Sequence, residues 1–364
     1  MKIGLLTCHS CLNYGANLQL FATVKSLEKM GHDIYAYDNR DHEASRCRDF
    51  VEKHVQLTKP CRTDDEFRQE TIRLGIEVIL VGSDAVLWLL PGKREGHGAY
   101  PNPFWLSWAR DLPVRKALIS ASSMGVMFPK LSRKLRIALK KDLESFDYIS
   151  VRDKWTLYFM MWLSIRGTDL TFDPTSALPD LVDFKSRSLP NGLNPKKYIL
   201  FTFSNVNEAD SWLADATAIA HTKGIKTCFV CHPDHLCSVK NVDVCISNVM
   251  DPLDWLTLLS NAAGYVGERF HPIVLSHFFK VPYLSCDYYS EGGMRSLFNF
   301  RSKTKDFCRR IGTNRFVVPS SIFFTKESAE SAMVQLEQSA ARTSGVNPAH
   351  FLSSLSLAID KNAK

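Results

Sequence analysis

The sequence predicts an α/β protein of two doubly wound, Rossmann-like domains that face a cleft. Three observations carry that expectation. The chain has 364 residues, more than one ordinary hydrophobic core accommodates. Short apolar runs alternate with helical patterns from residue 3 onward, as parallel strands with crossover helices do. The alternation breaks once, at Pro190-Asn191-Gly192-Leu193-Asn194-Pro195, and then restarts. The expected extents are 1–189 for a first domain, 190–325 for a second, and 326–364 for a helical tail that packs back across both.

Residues 3–7 read as a buried parallel strand, followed by a polar loop from Cys8 to Asn13. Leu18, Phe21, Val24 and Leu27 then fall at helical spacing, and Gly31 closes the helix. With a second strand at 33–37 this is a βαβ unit whose loop lies at the carboxyl end of the first strand. Further strands are expected at 77–81, 116–120, 148–151 and 169–172, with helices over 130–145 and 153–165. Past the break, strands are expected at 198–203, 226–231, 242–247, 264–267 and 281–286, with helices over 208–223 and 252–261. A helical tail fills 326–360. Two such units around a cleft resemble the architecture of B-type glycosyltransferases.

Composition excludes several classes. Hydrophobic residues make up 45% and charged residues 23%, a balance that fits a globular protein and not a disordered one. The net charge of +7 suits an anionic substrate or an anionic membrane surface. No long basic run with interleaved aromatics is present, so nucleic acid is not an expected partner. Residues 1–7 lack a signal core, and the most apolar stretch, 157–165, is too short to span a bilayer. The ten cysteines are therefore expected as thiols in a cytoplasmic protein.

The chemistry concentrates at strand ends. Gly267-Glu268-Arg269-Phe270-His271 joins a strand to a helix that contains Pro272 in its first turn. A helix N-terminus offers free N–H groups and partial positive charge, and Arg269 and His271 add to it, so an anion site is expected there. Such edges are where open α/β sheets bind ligands. Asn13-Tyr14-Gly15-Ala16-Asn17-Leu18-Gln19 occupies the first strand-to-helix turn; Asn13 reads as a cap, or the segment as a loop that admits a ligand to the backbone. Gly82-Ser83-Asp84 reads as a second such turn, with Asp84 as a cap, a base or a hydroxyl ligand. Arg152-Asp153 is either a surface ion pair or, with Arg269, one arm of a clamp for a dianion. Asp173-Pro174-Thr175 reads as a turn.

Two motifs read more plainly. Cys228, Cys231, His232, His235 and Cys237 have haem- or zinc-like spacing, but strand parity sends Cys228 and Cys231 to opposite faces, so no metal site is expected. Lys130 to Lys141 is a basic helix, either simply solvent-facing or in peripheral contact with an anionic inner membrane face.

Taken together and in order, these pieces resemble the polysaccharide pyruvyl transferase family. The matching residues are Ile3-Gly4 with Asn13-Tyr14-Gly15-Ala16-x-Leu18-Gln19, Val81-Gly82-Ser83-Asp84, Ser120-Ala121-Ser122 with Gly125, Ile149-Ser150-Val151-Arg152, Asp173-Pro174-Thr175, and Arg269-x-His271 before a helix. The resemblance runs from residue 3 to about 288. It implies transfer of a pyruvyl group from phosphoenolpyruvate, a co-substrate with no further cofactor, to hydroxyls of a cell-surface polysaccharide or its precursor. The usual product is a cyclic ketal. The acceptor would be a glycan or lipid-linked oligosaccharide; its sugar and the oligomeric state are not specified.

Carried over, Arg269, Phe270, His271 and Arg152 would bind the donor, with His271 as acid or phosphate anchor and Asp84 as base. Asn13, Tyr14, Asn17, Gln19, Ser83 and Asp84 would line the cleft on the acceptor side. The sequence departs from the family pattern at Ala85, at Glu268, and at Glu291-Gly292-Gly293, where the family often has a Lys and the nearest cation here is Arg295. Rival readings are a nucleotide-sugar glycosyltransferase of the same fold, a non-catalytic binding member, and a thiol or metal protein built on residues 228–237.

Overall fold

The computed structural model describes residues 1–39, 45–183, 187–190, 192–287, 302–326, 328–340 and 349–360. Asn191, Glu291, Gly292, Gly293 and Arg295 lie outside them. The first domain runs β1 (Lys2–Leu6), α1 (Tyr14–Lys29), β2 (Asp33–Asp38), α2 (Arg46–His54), β3 (Leu57–Pro60), α3 (Asp64–Leu74) and β4 (Val78–Val81). It continues with β5 (Arg115–Ala121), α4 (Arg133–Leu143), β6 (Tyr148–Val151), α5 (Lys154–Trp162) and β7 (Thr168–Leu170). The seven strands are parallel, in the order β3-β2-β1-β4-β5-β6-β7.

The second domain runs β8 (Tyr198–Thr202), α6 (Val206–Thr222), β9 (Lys226–Val230), β10 (Val244–Ile246), α7 (Pro252–Ser260), β11 (Gly264–Gly267), α8 (Phe270–Phe278) and β12 (Tyr283–Asp287). It ends with α9 (Lys303–Arg310), β13 (Val317–Pro319), α10 (Ser320–Lys326) and α11 (Ala329–Ala340), before a last helix, α12 (Ala349–Ile359). Its sheet, β10-β9-β8-β11-β12-β13, repeats the topology of the first six strands. In both sheets the order reverses beside the first strand, so a crevice opens there at the strands' carboxyl ends.

The strands form where both faces are covered: β1, β4, β8 and β11 are almost wholly buried, which is why they read as unbroken apolar runs. Asn13 starts α1 by accepting a hydrogen bond from Ala16 N at 3.3 Å. The turn after β4 differs from expectation. No helix follows it; residues 82–102 run through turns, and the next helical piece is a 3-10 turn at Pro103–Trp105. Pro91 and the positive-φ glycines 92, 96 and 98 prevent a helix there.

The domains share one core. α1 packs against α7 and against the 3-10 turn Pro174–Asp180. Tyr14 stacks on Trp255 with ring centroids 5.1 Å apart, and its hydroxyl accepts from Met250 N at 2.8 Å. The segment around the expected break is fastened to the second domain: Lys226 Nζ donates to Gly192 O, and Lys196 Nζ to Ser260 O and Ala262 O. α11 lies on α6 and β12, whereas α12 returns to the first domain and covers β5 and β6. Arg115 holds it there by donating to Ala358 O and Leu357 O. Cys228 and Cys231 belong to different core clusters on the two faces of the second sheet, as their parity requires.

Candidate functional site

A cavity of about 620 Å³ opens between the carboxyl ends of the two sheets. The start of α8 projects into it. β11 ends at Gly267, where a Cβ would come within 2.4 Å of Thr202 O, so only glycine lets the strand pack this close. Arg269 then takes a φ of 73° and no side chain caps the helix, leaving its first N–H groups for a ligand. Arg269, Phe270 and His271 all line the cavity. So do Asn13, Tyr14 and Asp84 from the opposite domain.

His271 sits where it does because Gly15 has no side chain. A Cβ on Gly15 would lie 2.0 Å from His271 Nδ1. Gln19 Nε2 donates to Asp173 Oδ2 at 2.6 Å and reaches His271 Nε2 at 2.7 Å. An amide nitrogen only donates, so His271 Nε2 accepts and the ring proton rests on Nδ1. Burial, opposed by Asp173, lowers the imidazole to about 4, so His271 is neutral at neutral pH. The sequence expectation of a ready acid at this position is corrected accordingly: the free protein holds an imidazole, not an imidazolium.

Asp84 and Arg152 also differ from expectation. Arg152 is wholly buried; Nη1 donates to Asp173 Oδ2 at 2.6 Å and to Ser83 Oγ at 3.3 Å, and Nη2 to Asp84 Oδ1 at 3.0 Å. It does not line the cavity, so it is a strut and not a clamp arm. Asp84 loses water on burial, which alone would raise its carboxyl, but Arg152, Lys303 and His271 outweigh that and hold it well below the usual range. A carboxylate so stabilised is a poor base. It remains a fixed negative group at the cavity wall. Asp173 is held low in the same way, against burial, by Arg152 and His271, and it also accepts from Thr175 N at 3.0 Å and Thr175 Oγ1 at 2.6 Å.

Three expected cleft residues do not line the cavity. Asn17 is buried and braces the loop before α1, accepting from Ser10 N and donating to Cys11 O and Asn13 O. Ser83 is buried with Oγ on Ser120 O at 2.8 Å. Gln19 acts behind His271. Each is a small polar side chain consumed by a nearby backbone or charged group, which spacing alone does not reveal.

Several site residues were missed. Lys303 lines the cavity at the start of α9, with its Nζ 5.7 Å from the Phe270 ring centroid, and Arg152 stacks on the same ring at 5.1 Å. Burial and Arg152 lower its ammonium. The available cue was Ser302, which caps a short polar helix by accepting from Lys305 N. Beside Arg269 the cavity is also lined by His232, Glu268 and Asp234. Glu268 Oε2 accepts from Ser204 N at 3.1 Å and Oγ at 2.5 Å and lies 3.7 Å from His232 Nε2. Burial lowers His232, while Glu268 is held as a carboxylate, against burial, by His232 and Ser204. Arg269 Nη2 bonds both oxygens of Asp234, at 2.7 and 2.9 Å.

The model of one family, polysaccharide pyruvyl transferase, matches residues 13–290. No curated protein sequence matches significantly. Among solved structures, UDP-GlcNAc 2-epimerase from Methanocaldococcus jannaschii is 15% identical with a TM-score of 0.60, over 98% of this chain and 99% of that one. UDP-GlcNAc 2-epimerase from Neisseria meningitidis, bound to UDP-GlcNAc, is 12% identical with a TM-score of 0.60, over 98% of each chain. The spinosyn forosaminyltransferase SpnP is 12% identical with a TM-score of 0.52, over 98% of this chain and 93% of that one. At these identities the likeness is one of fold, the two-domain Rossmann-like arrangement of B-type glycosyltransferases.

Proposed function

Because this chain belongs to the polysaccharide pyruvyl transferase family, we propose that it moves a pyruvyl group from phosphoenolpyruvate to sugar hydroxyls of a cell-surface polysaccharide or its precursor, closing a pyruvate ketal. The observation that carries this reading is the uncapped N-terminus of α8, flanked by Arg269 and Lys303, opening into the cleft. Phosphoenolpyruvate brings a carboxylate and a phosphate, about three negative charges in all. In the free protein Arg152 and Lys303 are balanced by Asp84 and Asp173, and Arg269 is paired with Asp234 at 2.7 Å, so the donor meets the free helix N–H groups and His271 and competes with Asp234 for Arg269.

The chemistry then follows from what each group holds. A bound anion raises the basicity of His271, so the donor recruits a proton to Nε2, which then gives up the Gln19 bond and faces Asp173 Oδ2, 3.8 Å away, while Nδ1–H serves the donor. The Nδ1 proton passes to the donor methylene carbon and leaves an oxocarbenium-like centre at its neighbour. A sugar hydroxyl attacks this centre as its proton is taken by His232, neutral and backed by Glu268. Phosphate departs with the C–O bond electrons, a second hydroxyl closes the ring, and its proton leaves with the phosphate. Asp84, a fixed carboxylate, orients the acceptor hydroxyls.

Calorimetry tests the donor. Phosphoenolpyruvate should bind, and Arg269→Ala should weaken it by roughly 1.5–3 kcal/mol, the range for a hydrogen bond to a charged group. Tight binding of a nucleoside diphosphate with no binding of phosphoenolpyruvate would overturn the reading.

A further inference from the structure

The proposed reaction leaves the basic helix of residues 130–141 unused. In the structure it is α4, and Arg133, Ile137 and Lys141 stand one turn apart on its exposed face, with Lys134 beside them. Ile137 is 60% exposed. Next to it α5 presents Tyr158 and Met161, 41% and 63% exposed. The two helices are fastened together: Arg136 Nη2 donates to Trp162 O at 2.7 Å, and its guanidinium lies 4.6 Å from the indole centroid. Phe128, Trp155, Phe159 and Trp162 pack ring against ring beneath them. Aliphatic and aromatic side chains therefore protrude among cations from a rigid floor.

The two segments that build this face are strongly basic. Residues 128–144 and 154–167 contain Lys130, Arg133, Lys134, Arg136, Lys140, Lys141, Lys154 and Arg166, against two carboxylates, Asp142 and Glu144, the latter paired with Lys140. Asp142 is fully buried against Arg110 and the Tyr100 hydroxyl. The whole chain has 45 cations and 38 carboxylates, an excess of +7, and these two segments carry most of it. The face also flanks the cleft. α5 begins two residues after Arg152, and the loop into α4 starts at Met124 and Gly125 on the cavity wall.

We propose that the exposed face of α4 and α5 docks on an anionic lipid surface, with Ile137, Tyr158 and Met161 entering the interface and the surrounding cations facing lipid headgroups. Cations near such a surface gain by attraction, and apolar tips gain by leaving water. A nucleic acid would use the cations but gain nothing from the aliphatic side chains of Ile137 and Met161. A second copy of the face would meet like charge. The proposal stands whether or not the donor is phosphoenolpyruvate.

Flotation of the full chain with vesicles tests it. The protein should bind phosphatidylcholine vesicles containing about one-third phosphatidylglycerol, bind pure phosphatidylcholine far less, and be released by salt. Lys134→Gln with Lys141→Gln should weaken binding about twenty-five-fold, at roughly fivefold per cation. Ile137→Ser with Met161→Ser, which leaves the charge unchanged, should weaken it further at fixed salt. All four positions are exposed, and unchanged thermal melting would verify that the variants fold. Binding that ignores both pairs of substitutions would overturn the proposal. So would equal binding to neutral vesicles, or a DNA duplex displacing the vesicles and binding the serine variant as well as the wild type.

Discussion

The contact between Gly15 and His271 is the tightest dependence of the site on single residues. Gly15→Ala places a Cβ 2.0 Å from the imidazole, so the ring must move. A shift of about 1 Å in a reacting group is expected to lower turnover on the order of a hundredfold, read by steady-state phosphate release, with the fold retained. Wild-type rates in Gly15→Ala would mean that His271 need not stand where it does. Because His271 sits near 4 in the free protein, donor binding at pH 7 should take up a proton. Titrations in buffers of different ionisation enthalpy would show this uptake, and His271→Gln should abolish it. Arg152 is a different case. Arg152→Gln leaves Asp84 and Asp173 buried without their cation, and about 3–5 kcal/mol of stability should be lost in denaturant titration. The Arg269–His271 turn was legible because anion sites at helix starts follow from backbone physics. The neutrality of His271 and the strut role of Arg152 were not, because both depend on Gln19 and Asp173, distant in sequence.

α8 carries two buried histidines, and the second has a consequence for stability. His277 is enclosed by Phe278, Tyr283 and Phe307, and burial lowers it to about 4. An unfolded histidine titrates near 6.5, so between those values the unfolded chain binds more protons than the folded one. Stability therefore falls as pH drops from about 6.5 toward 4, by up to about 3 kcal/mol for this residue. His277→Phe should lose less stability over that window, measured by denaturant midpoints at several pH values; an unchanged acid limb would assign it to other groups. Among elements, those buried on both faces were legible as continuous apolar runs, and β1, β4, β8 and β11 lie where the sequence places them. α2, β3, α3 and α9 were not. Their buried stripes are narrow or partly polar, such as Phe67, Glu70 and Thr71 on α3, and β3 is four residues at a sheet edge. Missing α9 also hid Lys303.

At the scale of the molecule, the cleft exists because two sheets with the same strand order turn their carboxyl edges toward each other, joined by α1 against α7 and by α12 lying back over β5. The doubling was readable from the restart after residue 195; the return of α12 was expected from its position but its partners were not. Phe351 is fully buried in the shared core, so Phe351→Ala should cost about 3–5 kcal/mol in a denaturant titration, although it lies far in sequence from the strands it covers. A much smaller cost would mean that α12 is not needed to hold the first domain. Among the described residues no helix is long and apolar enough to cross a membrane. The proposed reaction passes a pyruvyl group from phosphoenolpyruvate to a sugar within this cleft. The most direct measurement is incubation of the full chain with phosphoenolpyruvate and a panel of glycans, read by phosphate release and by mass spectrometry of the glycans. Phosphate should be released with one class of glycan, which gains the mass of pyruvic acid less water, and both signals should be lost in His271→Gln. Glycosyl transfer from a nucleotide sugar, with phosphoenolpyruvate left intact across the same panel, would contradict it.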